Sequence, residues 1–197
     1  MTRLGGTILA LILLAIAGFA SMLSFGPSEK RSPAATSTVA APSPAGNSVA
    51  APLMVPVAGI APRQLADTWG DSRGGGSRRH QAIDIIAPAN TPVLAAAPGA
   101  VEKMFQSKAG GTTLYVRSPG RRWSHYYAHL ARYAPGLREG APVTRGMLLG
   151  YVGDTGNAGA GNTHLHFAVS QMGPGDKWYE GTPVNPYPLL AGKRKVR

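Results

Sequence analysis

Residues 148–170 read LLGYVGDTGNAGAGNTHLHFAVS. A run rich in Leu, Tyr and Val, a glycine-dense break, and a second run with alternating apolar residues describe two short strands joined by a loop. In the second run the period-two alternation turns Leu165 and Phe167 toward a core and sends His164 and His166 together to the opposite face. Two imidazoles on one strand face can hold a metal, or one can hold it while the other moves protons. The bland alternative is a pair of solvent-facing polar residues on a half-buried strand. Gly150, Gly153, Gly156, Gly159 and Gly161 lack both a strand–GxGxxG–helix context and a GK[ST] sequence, which argues against a phosphate-binding loop. A loop flanking a cleft, where an extended peptide can approach backbone closely, fits better.

The same texture extends upstream. Candidate strands are Ala82–Ile86, Pro92–Ala96, Ala100–Gln106, Thr112–Arg117, Trp123–Leu130, Leu148–Val152 and His164–Ser170, separated by breaks such as APGA, KAGG and SPGR. Many short strands at close spacing predict a compact all-β domain over residues 53–190. No amphipathic helix is expected, and Leu130–Tyr133 reads as a single turn.

All five histidines, His80, His125, His129, His164 and His166, fall inside this domain. His80 and Asp84 belong to HQAID. Four residues apart, they lie near one face of a strand or across the turn entering it. Asp84 sits between Ile83 and Ile85, which should pack inward, so its carboxylate faces away in a segment too apolar for an ordinary surface loop. A cation would satisfy it; a capped turn with a solvated Asp is the plainer reading. Catalytic zinc commonly takes three N and O ligands and keeps one position for water, and His80, Asp84 and His166 supply such a set. One carboxylate leaves that site with net charge +1 and keeps bound water acidic. On a strand Trp123–Leu130, strict alternation puts His125, Tyr127 and His129 on one face and Tyr126, Ala128 and Leu130 on the other. His129 could reach the metal site as a general acid/base, though periodicity alone does not show it. His125 reads as a satisfied or solvent-facing side chain.

Outside the domain the composition changes twice. After Arg3, residues 4–28 are uncharged and apolar on every face, a stretch long enough to cross a bilayer. Residues 1–28 are therefore expected to be a signal anchor; a cleaved signal peptide using small residues such as Ala15 and Ala17 is the other reading. Residues 29–52, rich in Pro, Ala and Ser, cannot bury a core and read as a disordered linker. Residues 191–197 form a basic tail. The expectation is an exported protein, anchored to the inner membrane facing the periplasm, or secreted or periplasmic if the leader is removed.

Formal net charge is +11, from 20 Lys and Arg against 9 Asp and Glu. The charge is scattered and no basic helix or nucleic-acid motif accompanies it, so an envelope polymer or membrane surface suits it better than nucleic acid. The chain has no cysteine, which excludes disulfides, thiolate metal sites and a thiol nucleophile. Oligomeric state is not legible.

HQAID, YYAHL and THLHF, in this order, resemble the signature of the lysostaphin/LytM-type zinc metallopeptidases, metallopeptidase family 23. LLGYVGDTGN resembles the stretch before that family's HxH, and APANTPVLAAAPGAVEKM the segment after its first motif. YEGTPVNPYPLL resembles a segment found after the domain in some envelope members. The resemblance implies a compact antiparallel, sandwich-like sheet domain of the duplicated hybrid motif type, with a groove walled by loops. It implies one Zn2+ ion held by His80, Asp84 and His166, catalytic assistance from His129 and His164, and peptidoglycan stem peptides or cross-links as substrate. The chain departs from many members at Ala82, where Gly is usual, at Thr163, where Pro is usual, and at Ala168, where Glu is usual. None of these removes a ligand. Some members have lost ligands and activate other hydrolases. A non-catalytic, tethered peptidoglycan-binding or activator module is the alternative function, and a structural protein with incidental histidines a third.

Overall fold

A computed structural model describes residues 53–192. The expected apolar segment 1–28, the linker 29–52 and residues 193–197 of the basic tail lie outside the described residues. Among the described residues no helix is long and apolar enough to cross a membrane.

Nearly all regular structure is antiparallel β. The strands are β1 (Ser72–Arg73), β2 (Arg78–Arg79), β3 (Ile83–Ile86), β4 (Pro92–Leu94), β5 (Gly99–Ser107), β6 (Gly111–Arg117), β7 (Trp123–Tyr133), β8 (Pro142–Val143), β9 (Leu148–Val152), β10 (His164–Gln171) and β11 (Thr182–Val184). One 3-10 turn, Pro62–Gln64, and one short helix, α1 (Tyr187–Leu190), complete the set. β1 and β2 form a separate two-stranded hairpin; the other nine strands share one sheet with the path β11-β10-β7-β6-β5-β8. β3 and β11 pair with successive parts of one edge of β10. β7 pairs through residues 123–128 with β10 and through residues 130–133 with β9. The expected turn at Leu130–Tyr133 is thus a continuation of β7, because β9 supplies a partner for the chain beyond His129.

The core follows the alternation. Ile83, Leu114, Tyr127, Leu130, Leu149, Leu165 and Phe167 are fully buried, and apolar area removed from water stabilises each by about 1.5–3 kcal/mol. Tyr127 carries its hydroxyl into this core and satisfies it by accepting from the Ala96 backbone N–H at 3.0 Å.

One alternation fails, and it fails at the site. His129 has φ +60°, and the β6–β7 register shifts between Thr112 and Leu114. This bulge inserts one residue into the face pattern. His125 and Tyr127 stay inward, while His129 joins Tyr126 and Ala128 along the groove described below. The face shared by His125, Tyr127 and His129 in a strict period-two reading is therefore corrected. A left-handed non-glycine backbone costs on the order of 1 kcal/mol, offset here by the hydrogen bond from the His129 N–H to the Gly110 carbonyl at 2.8 Å.

Candidate metal centre and groove

His166 lies directly opposite Asp84 in the β3–β10 ladder, and Leu165 opposite Ile85. Residues directly opposite share a face, so the register that buries Ile83, Ile85, Leu165 and Phe167 brings the carboxylate and the imidazole together on the other side. His80, one residue past β2, completes the cluster. Its Nε2 is 3.2 Å from Asp84 Oδ1 and 3.1 Å from His166 Nδ1. His166 Nδ1 is 3.1 Å from Asp84 Oδ1.

This triangle fits a metal. In a tetrahedral zinc site with bonds of about 2.0–2.1 Å, neighbouring donor atoms sit about 3.3–3.4 Å apart. The proton inventory agrees. His80 Nδ1 lies 2.8 Å from the Thr68 carbonyl oxygen. Arg73 Nη2, a donor, also lies 3.1 Å from this Nδ1, but it donates to Asp84 at 2.7 Å. The shorter contact, to a carbonyl that only accepts, puts the hydrogen on Nδ1 and leaves Nε2 its lone pair. Thr68 also accepts the Asp84 backbone N–H at its hydroxyl, 3.0 Å, and so holds two donors of the set. Burial alone would raise the Asp84 carboxyl, but its interactions with His166 and His80 outweigh it and hold the group ionised, well below the usual carboxylate range. Burial lowers the His166 imidazole, which favours the neutral, ligating form.

His129 and His164 flank the triangle with ring centroids 4.8 Å apart; His129 is 5.6 Å from His166 by the same measure. His129 Nδ1 is 2.7 Å from the Thr155 carbonyl oxygen, and His164 Nδ1 is 2.8 Å from that of Asn162. Both Nδ1 atoms are therefore protonated and donating, which leaves both Nε2 atoms as the basic positions. His164 Nε2 is 3.8 Å from Asp84 Oδ1. Burial lowers the His129 imidazole, so it is a neutral base at neutral pH.

The structure thus brings all five expected site residues into one groove of about 1100 Å³. His125 is excluded from it. The ring is buried and its Nδ1 has no partner among the described residues, so it is neither solvent-facing nor fully satisfied. Sequence reading missed Thr68, Arg73, Tyr126 and Thr155. Arg73 reaches Asp84 Oδ2 at 2.7 Å, and Tyr126 stands edge-on to His166 at 6.0 Å. The hydroxyls of Thr68 and Thr155 bond to backbone groups distant in sequence, and both residues meet the imidazoles through backbone carbonyls, which carry no residue-type signal. Arg73 had one, the symmetric SRGGGSRR of a glycine-turned hairpin.

A three-donor His/Asp/His set with two further imidazoles beside it, on an antiparallel sheet, defines a hydrolytic metal site of the peptidase kind. The profile of Peptidase family M23 matches residues 78–186, more than half of the chain, and the chain belongs to that family. It is 35% identical over 129 residues to the L-Ala–D-Glu endopeptidase of Bacillus subtilis, across 62% of this chain and 38% of that protein. It is 31% identical over 109 residues to the peptidoglycan DD-endopeptidase ShyC of Vibrio cholerae, across 55% and 23%. The chain spans well under half the length of either curated relative. Among solved structures it resembles a mutant catalytic domain of the prophage-encoded M23 protein EnpA from Enterococcus faecalis. There the TM-score is 0.50 at 27% identity, over 62% of this chain and 87% of that one.

Proposed function

We propose that this chain is a zinc-dependent endopeptidase that hydrolyses peptide bonds of bacterial peptidoglycan, in the stem peptide or its cross-link. The observation that carries the reading is the meeting of His80, Asp84 and His166 donor atoms at 3.1–3.2 Å, beside two imidazoles whose basic nitrogens are set by backbone carbonyls. The two curated relatives, both named as endopeptidases, support the reaction class. On this reading the domain is of the duplicated hybrid motif type and holds one Zn2+ through His80, Asp84 and His166.

A zinc ion held by His80, Asp84 and His166 would supply Lewis acidity, enough to polarise a carbonyl and acidify water. The protein's own groups do the rest. Arg73 and Thr68 hold Asp84 and His80 in their ligating orientations. His129 and His164 orient the attacking water through Nε2, take its proton, and return a proton to the departing amine. A protonated imidazole also stabilises the oxyanion that develops at the carbonyl.

The chain acts outside the cytoplasm on this reading, on the periplasmic side of an inner membrane. The uncharged residues 4–28 and the Pro/Ala/Ser-rich stretch 29–52 support an anchor followed by a spacer. Carbonate extraction of membranes distinguishes an anchored chain from a released one.

The decisive experiment combines metal analysis with mass spectrometry of digested peptidoglycan. The purified chain should carry one zinc per molecule and release new amino termini at a single type of bond. His166→Ala should lose the metal; His129→Ala should keep it and slow turnover. Wild-type digestion by both variants overturns the proposal.

A further inference from the structure

The β1–β2 hairpin forms one wall of the groove and presents Arg73, Arg78 and Arg79 to it. Asp84 is the only carboxylate among the groove's lining residues, and it is already engaged by Arg73. The groove is therefore strongly cationic before any metal is counted, and a divalent ion adds to this.

The three arginines are not equivalent. Arg73 is committed to Asp84 at 2.7 Å. Arg79 donates to the Gly70 carbonyl at 3.2 Å and ties the hairpin to the preceding segment. Arg78 is exposed, and its side chain has no ion-pair or hydrogen-bond partner among the described residues. Its cross-strand partner is Arg73 itself. Asp84 at 2.7 Å and Asp71 at 3.9 Å compensate the Arg73 charge, whereas no carboxylate among the described residues meets Arg78. Nothing in the packing of this hairpin calls for a cation at Arg78. An anion brought into the groove would supply the missing counter-charge and receive a planar, two-pronged donor.

We propose that Arg78 reads a free carboxylate on the peptide substrate, so that the groove selects acidic peptides over neutral ones such as oligoglycine or carboxamide-capped chains. This rests on the hydrolase reading of the groove and names its substrate class. A guanidinium–carboxylate pair in a partly enclosed groove is worth about a tenfold preference or more over a carboxamide at the same place. The preference should shrink with added salt, because the wall is open to solvent.

The test uses the full zinc-loaded chain and two forms of one synthetic cross-linked stem peptide, one with its carboxylates free and one with each converted to carboxamide. The ratio of kcat/KM, acid over amide, should be about ten or greater for the unmodified chain. It should fall toward one in Arg78→Gln and recover in part in Arg78→Lys. Binding of both peptides to the metal-free chain, measured by calorimetry, should show the same order without any turnover. Equal kcat/KM for the two peptides, or a preference untouched by Arg78→Gln, overturns the inference. If neither peptide is cleaved but the acid form still binds preferentially through Arg78, the carboxylate wall stands and the hydrolase reading falls. If neither is cleaved and both bind alike, the wall falls too.

Discussion

Arg73 Nη2 sits 2.7 Å from Asp84 Oδ2, the carboxylate oxygen left over when Oδ1 faces His80 and His166. The pair fixes which oxygen of Asp84 is offered to an ion. With Arg73→Ala the carboxylate can rotate, and zinc affinity should drop by about 10–100-fold, the usual effect of losing a group that orients a ligand. Arg73→Lys should recover only part of this, since an ammonium is a point donor without the planar fork. Competition for zinc against a chromophoric chelator reads the affinity without reference to turnover. Unchanged affinity in Arg73→Ala would mean the pair is a surface contact with no hold on Asp84.

His129 is positioned by a backbone-to-backbone contact between two loops. Thr155, whose carbonyl takes the His129 Nδ1 hydrogen, is anchored by its hydroxyl to the Leu130 carbonyl at 2.9 Å and to the Thr112 N–H at 3.0 Å. A Cβ on Gly156 would stand 2.3 Å from the Gly111 nitrogen and 2.4 Å from the Ala109 oxygen, and Gly156 has φ +73°. Gly156→Ala must therefore push the loops apart and draw the Thr155 carbonyl away from His129. The expected result is retained zinc with turnover lowered by about 100-fold or more, the scale of a misplaced acid/base group. Zinc stoichiometry and release of peptide ends from peptidoglycan, measured on the same preparation, check both halves.

Legibility in the sequence followed the physics of each signal. Strand β10 was readable because alternation in HLHF is strict and its apolar members are all buried. The His80, Asp84 and His166 cluster, a candidate metal set, was readable because all three are side-chain donors with a residue-type signature. The face of His129 was not. It depends on a bulge whose cause, the pairing of β7 with β10 before it and β9 after it, is a property of three strands at once. Thr68 and Thr155 were invisible for a different reason: any residue could supply their carbonyls, and their hydroxyls bond to backbone groups that only the fold brings near. The short strands β1, β2, β8 and β11 span two or three residues each, too few for a period to register.

Glu102 sits at a bulge in β5, where the register with β6 shifts between Val101 and Lys103, and meets Arg117 below the surface. Arg117 Nε is 2.6 Å from Glu102 Oε2 and Nη2 is 3.1 Å from Oε1, with the Arg117 side chain only 3% exposed. Removing the carboxylate leaves a buried guanidinium with only the Arg121 and Asp176 carbonyls and no counter-charge, whereas removing both charges does not. Glu102→Ala should cost about 3–5 kcal/mol. The double variant Glu102→Leu, Arg117→Met should cost clearly less, despite altering more atoms. Urea unfolding of the two variants, with unchanged m-values, decides it; a double variant as unstable as the single one would show that the pair is not what the fold depends on.

His125 makes the domain acid-sensitive independently of the candidate metal cluster. Its ring is 3% exposed and stacks parallel to Phe167. Burial pushes the imidazole down to about 4, against a hydrogen bond to the Val116 backbone that works the other way. In the unfolded chain it titrates near 6.5. Between those values the unfolded chain holds the extra proton, so stability rises with pH through this window and is level above it. Falling from pH 6.5 to about 4 should remove roughly 3 kcal/mol through this group alone. His125→Phe abolishes the titration while keeping a ring against Phe167. Unfolding free energies of both proteins in excess chelator, from pH 4 to pH 8, cancel the titrations of the other four histidines in the difference. That difference should slope only below about pH 6.5. A flat difference across the whole range would mean that the folded protein accepts a charged His125, and that the sheet opens there to water.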